Sequence, residues 1–139
     1  MINFKNCEVK NNKVYHGNKV AVLVSAGYGA GWYSWNTNFK DCLTNPELIK
    51  LVLEKEALEE DLRKIPWDRR ENSQIGKNLT TNVSNIENFA NSLYGNEFYS
   101  GGAPGLYIEW IEEGSYFQIT DYDGNESLKY KDSENWLSV

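Results

Sequence analysis

Three glycines at alternate positions, Gly27, Gly29 and Gly31, stand among Tyr28, Trp32, Tyr33 and Trp35. Backbone N–H groups in so glycine-rich a turn can form a concavity that holds phosphate or hydroxyl groups. Indole and phenol faces stack on flat rings, at about 1–3 kcal/mol per nucleobase. The residues read as one ligand-facing wall are Gly27, Tyr28, Gly29, Gly31, Trp32, Trp35 and Asn36. A second glycine-rich run, Tyr99 to Gly105, supplies the other wall through Tyr99, Gly101 and Gly102, with Tyr107 or Trp110 beyond it. Lys19, Lys40, Arg69 and Arg70 are the cations that would face a phosphate. The spacing is neither the G-x-G-x-x-G of a dinucleotide turn nor a P-loop, since Trp32 and Tyr33 stand where those motifs need other residues. The competing reading is a tight turn that packs its glycines under aromatic rings and holds nothing.

Other chemistry is thin. The run Asp121-Tyr122-Asp123-Gly124-Asn125-Glu126 gathers three carboxylates in one turn, yet it lacks the twelve-residue frame of a calcium loop. It reads as a solvated hairpin turn. His16 is the sole histidine, so no His-based acid–base pair exists, and it reads as a surface residue beside a turn. G-x-S-x-G is absent and no Cys/His set has zinc spacing. Glu109 and Glu112 are the carboxylates a hydrolytic reading would have to use. No enzyme, metal or cofactor is expected.

The elements that would position these residues are legible in pattern. Val20–Val24 is a continuous apolar run, suited to a strand buried on both faces. Lys13–His16 pairs with it as a hairpin through Gly17-Asn18. Thr44 or Asn45 caps a helix with Pro46 in its first turn, carrying Leu48, Leu51, Val52, Leu58, Leu62 and Ile65 as a stripe. Glu59 with Arg63 and Glu60 with Lys64 form i,i+4 pairs on its wet side, and Pro66 ends it. Residues 67–82 read as an exposed loop. Ser84 and Glu87 form a capping box for a second helix that Gly95 closes. Three segments, 106–111, 116–122 and 127–130, read as a three-stranded meander whose last turn is Asp123-Gly124. Trp136 and Leu137 dock back on the core. The class is α+β: one domain over 1–139, an antiparallel sheet packed with two helices.

Composition narrows the partners. The chain has 139 residues and a net charge of −6, which opposes non-specific binding to nucleic acid or anionic membrane. It favours a basic protein surface instead. Cys7 and Cys42 read as free thiols. No apolar run reaches the roughly 18 residues of a membrane span and no secretory leader is apparent, so a cytoplasmic protein is expected.

Three blocks carry a resemblance: Val20 to Asn36, the helix start Asn45-Pro46-Glu47-Leu48-Ile49, and the tail Ile108 to Gly114, Phe117-Gln118-Ile119, Tyr122 to Ser127 and Trp136. Together they resemble uncharacterised short proteins of phages, prophages and Gram-positive bacteria. The blocks cover about half the chain, leaving out residues 54–98. The resemblance implies a phage accessory protein acting in the cytoplasm of a bacterial host. One expectation is a non-catalytic protein, helped by homo-oligomerisation, that sequesters a nucleotide-type immune messenger. A second is an acidic inhibitor of a host defence effector, using Glu54, Glu56, Glu59, Glu60 and the 121–126 turn. A third is a small carboxylate enzyme that converts a bound nucleotide.

Overall fold

The computed structural model describes residues 2–130 and 137–139. Trp136, expected to dock on the core, lies outside the described residues. Among the described residues, seven strands and two helices follow one another as β1 (Glu8–Lys10), β2 (Lys13–His16), β3 (Lys19–Ser25), α1 (Pro46–Arg63), α2 (Gln74–Tyr94), β4 (Leu106–Glu112), β5 (Tyr116–Tyr122), β6 (Asn125–Tyr130) and β7 (Leu137–Ser138). The architecture is α+β, as the patterning implies. None of the described helices is long and apolar enough to cross a membrane.

β3 is the spine, and its uninterrupted apolar run has a direct cause. Ala21 and Leu23 enter a core shared with both helices, while Val22 on the opposite face joins Leu43, Ile111 and Phe117 against the second sheet. Both faces are covered, so a polar residue has no place anywhere from Val20 to Val24. The N-terminal hairpin forms, with Tyr15 opposite Val20 and His16 opposite Lys19.

The C-terminal meander does not form. β4 leaves β5 and joins β3 over seven antiparallel pairs, from Lys19–Glu112 to Ser25–Leu106. The sheets are therefore β1-β2-β3-β4 and β6-β5-β7. The reason lies in β3: β2 satisfies only one end of it, and a strand buried on both faces cannot leave its other edge unpaired. The chain crosses between sheets at Gly114, whose N–H is held by the Val139 carbonyl.

α1 starts as read, with the Asn45 side chain accepting from the N–H groups of Glu47 and Leu48. Its exposed pairs are i,i+3 rather than i,i+4: Arg63 with Glu60 and Lys64 with Asp61. α2 begins eleven residues earlier than the Ser84 capping box suggests. Ser73 is the cap, its Oγ accepting from the Gly76 N–H at 2.9 Å. The run from 74 is polar enough to pass for a loop because Asn82 occupies a core position, where it donates to the Leu51 carbonyl on α1 at 3.1 Å.

The free edge of β4 is closed by two consecutive α1 side chains. Buried Lys55 donates from Nζ to the Leu106 carbonyl at 3.0 Å and to Glu59 at 3.1 Å. Glu56 accepts from the Ile108 N–H at 2.9 Å. Burial pushes the Glu56 carboxyl above the usual carboxylate range, against the pull of the Ile108 hydrogen bond. A raised folded-state pKa means that Glu56 supports folding most below the ordinary carboxylate range, and that this support is lost as pH rises through the raised value. Glu56→Gln is therefore expected to match the parent at pH 4 and to exceed its stability at pH 7. Glu56→Ala should lose about 1–3 kcal/mol, because it orphans the Ile108 N–H. Urea unfolding at the two pH values checks both outcomes.

Candidate functional site

The glycine-rich loop of residues 26–36 leaves the end of β3, and the loop of residues 99–105 enters the start of β4. Because β3 and β4 pair along their full length, the two loops meet at one end of the sheet. The β5–β6 hairpin brings its tip, Asp121 to Glu126, to the same place. Asp123 and Gly124 both have positive φ, 51° and 86°, as an Asp-Gly type I′ turn requires.

Glu126 joins these parts. It is 3% exposed, contrary to a solvated turn. One carboxylate oxygen accepts from the Ser25 N–H at 2.9 Å. The other accepts from the Trp32 N–H at 3.0 Å, the Ser34 N–H at 2.8 Å and the Ser34 hydroxyl at 2.6 Å. Asn125 adds an acceptor for the Gly27 N–H at 2.8 Å, and the Asp123 carbonyl accepts from Gly29. Asn36 then locks the first loop to the second. Its Nδ2 donates to the Trp32 and Tyr99 carbonyls at 2.6 and 2.9 Å, and its Oδ1 accepts from the Tyr99 N–H at 2.8 Å.

The loops thus close on each other rather than around a space. A Cβ on Gly102 would sit 2.0 Å from the Ala30 carbonyl oxygen, and one on Gly31 would sit 2.3 Å from Trp35 Cγ. These glycines serve close approach within the protein. The amides of Gly27 and Gly29 are spent internally, which corrects their assignment to a phosphate. Trp32 is corrected too: it is fully buried, its Nε1 donates to the Cys42 carbonyl at 3.0 Å, and it meets Phe98 edge-on at 4.9 Å. It offers no face to a ligand. Asn36 is buried in its clamp, and Gly101 lies under the Tyr99 ring.

The cations do not converge. Lys19 stands at the far end of β3, beside Trp110, Glu112, Ser115 and Tyr130. Trp110 is at that end as well, against His16 at 5.8 Å, so it belongs to no wall with Tyr99. Lys40 opens the short 3-10 turn Lys40–Leu43, and Arg69 lies in another between the helices. Arg70 caps α1 by donating to the Arg63 carbonyl at 3.3 Å, and it also donates to the Ile65 carbonyl at 2.9 Å. A cavity of about 490 Å³ lies elsewhere, between Ile2–Lys5 and α1.

What the loops do present is an aromatic face. Tyr28 and Tyr122 are 72% and 74% exposed, and Trp35 and Tyr99 are 43% and 40% exposed. Tyr28 meets Tyr122 at 6.0 Å and Trp35 meets Tyr99 at 5.1 Å. The pairs are linked: the Tyr99 hydroxyl donates to the Gly29 carbonyl at 2.6 Å, and Trp35 Nε1 donates to Asp121 Oδ2 at 3.2 Å. Tyr28 and Trp35 hold the exposed positions expected of them. Asp121 and Tyr122 belong to the 121–126 turn, which the sequence offers as a contact for a basic partner but not as part of a ligand wall. The signal for them is the tail block of the resemblance, which Glu126 ties to the block from Val20 to Asn36. Free Cys7 and buried Cys42 lie outside this face, and no group of three or more His, Cys, Asp or Glu side chains could hold a metal ion among the described residues.

No family model, curated protein or solved structure matches this chain.

Glu126→Gln keeps the shape of the side chain but leaves one acceptor, so either Ser25 or the Trp32–Ser34 group faces an amide N–H. A loss of about 2–4 kcal/mol is expected in denaturant unfolding, with Ser34→Ala milder at about 1 kcal/mol. A Gln variant as stable as the parent would remove the carboxylate from this account.

Proposed function

We propose that the protein is a non-catalytic recognition module that docks on a basic protein surface through Tyr28, Trp35, Tyr99 and Tyr122. The observation that carries this is four exposed aromatic rings, on two loops and the end of β5, tied together from behind by buried Glu126 and Asn36. Tyr and Trp offer large contact area at low cost in side-chain entropy, and they dominate the energetics of protein interfaces. Rigid loops lose little freedom on binding, which leaves more of the contact energy as affinity. Asp121 and Asp123 flank the rings, and neither is ion-paired among the described residues. With the net charge of −6, they favour a positively charged partner.

The resemblance to phage and Gram-positive bacterial proteins supplies the setting: a host defence effector, blocked at a surface that handles nucleic acid. The aromatic face is a better contact than the α1 acids expected to serve it. Glu56, Glu59 and Glu60 are engaged with the Ile108 N–H, Lys55 and Arg63, leaving Glu54 as the freest of the four among the described residues. Sequestration of a nucleotide messenger has less support, since Trp32 and the amides of Gly27 and Gly29 face inward.

Immobilised protein in a bacterial lysate should retain a basic protein whose recovery falls with added salt. Recovery should drop at least roughly tenfold for Tyr28→Ala/Tyr122→Ala, the loss expected of interface anchors. Glu54→Gln/Glu60→Gln should leave it unchanged. The opposite pattern would move the contact to α1. Calorimetric binding of a cyclic or ADP-ribose-like nucleotide, lost in Trp35→Ala, would overturn the docking reading.

A further inference from the structure

We propose that Trp35 with Asp121 and Asp123 is an arginine-reading subsite, so that the partner's anchor on the aromatic face is a guanidinium group. The proposal rests on the docking reading above and names the chemistry of its centre.

The indole is fixed on several sides. Backbone at Gly31 and Gly124 lies so close that a Cβ there would approach ring atoms to 2.3 and 2.9 Å. Tyr99 packs at 5.1 Å and is itself tied to the Gly29 carbonyl. Nearly half of the Trp35 side chain nevertheless remains open to solvent. A flat, immobile, half-exposed indole is the best of the aromatic platforms for a cation. Its N–H donates to the Asp121 carboxylate, which raises the electron density of the ring and strengthens that preference.

The acids beside it are unneutralised. Asp121 Oδ2 takes two donors, Trp35 Nε1 and the Gly124 N–H at 3.2 Å, while Oδ1 accepts no hydrogen bond among the described residues. Two positions on, the exposed Asp123 carboxylate likewise makes no side-chain hydrogen bond there. The exposed part of the Trp35 ring and the carboxylates of the hairpin turn beside it match a planar cation that stacks and donates at once. Arginine does both. Lysine is a strongly hydrated point charge that cannot stack. A phosphate-bearing ligand would meet repulsion from both acids.

The test titrates the tripeptide acetyl-Gly-Arg-Gly-amide, with lysine and citrulline counterparts, while following the Trp35 indole N–H by NMR. That signal is assigned by its loss in Trp35→Phe. A saturable shift is expected with the arginine peptide, weaker by roughly fivefold or more with lysine and absent with citrulline, which keeps the shape but not the charge. Asp123→Asn, at an exposed turn position, should weaken the arginine response about threefold and leave the rest of the spectrum unchanged. Asp121→Asn should weaken it further. An equal citrulline response overturns the proposal, as does indifference to both Asp substitutions. If no peptide shifts the indole while lysate capture still depends on Tyr28 and Tyr122, docking stands and the arginine assignment falls.

Discussion

Burying a carboxylate costs several kcal/mol unless donors replace the water it leaves. At Glu126 those donors are three backbone N–H groups and a hydroxyl, all from the first loop and the strand end that precedes it. The loop must therefore curl so that Ser25, Trp32 and Ser34 point to one spot. That curl turns Trp32 inward and leaves Tyr28 and Trp35 outward. It also docks the β5–β6 hairpin against the first sheet, since Glu126 belongs to the second. One side chain thus sets the loop conformation, the sheet-to-sheet packing and the orientation of the aromatic rings.

The layers behind it make this arrangement stiff. β3 lies between a helix-facing core and a sheet-facing core, and its end delivers the first loop at a fixed height. β4, in register along all of β3, delivers the second loop beside it. Asn36 then bonds to the Tyr99 backbone on both its donor and acceptor sides, much as a neighbouring strand would. The result is a surface whose two loops are braced against each other by the fold itself. Such a surface is suited to recognition by contact rather than by enclosure.

Much of this was legible in residue types. The apolar run of β3, the Asn45-Pro46 helix start, the Gly95 stop and the Asp-Gly turn follow from local rules, and each lies where those rules put it. The failures share a cause: tertiary partners outweighed local pattern. Segments 106–111 and 116–122 read as hairpin neighbours, yet β3 needed an edge partner more than β5 did. Asn82 masked the first eleven residues of α2, because its burial depends on a carbonyl of α1. At the site, dense glycines and aromatics signalled close packing and exposed rings together, without saying which ring went where. Trp32 and Trp35 are three apart in sequence and opposite in fate. Only the position of Glu126, contributed by a distant hairpin, separates them.

The central claim is that the Glu126 carboxylate holds the first loop rigid. Amide hydrogen exchange measures this directly at Ser25, Trp32 and Ser34. The account predicts that Trp32 and Ser34, though they sit in a loop, exchange as slowly as core amides of β3, and speed up together when Glu126 is replaced. Exchange at those two positions as fast as at the neighbouring exposed Thr37 and Asn38 would contradict it.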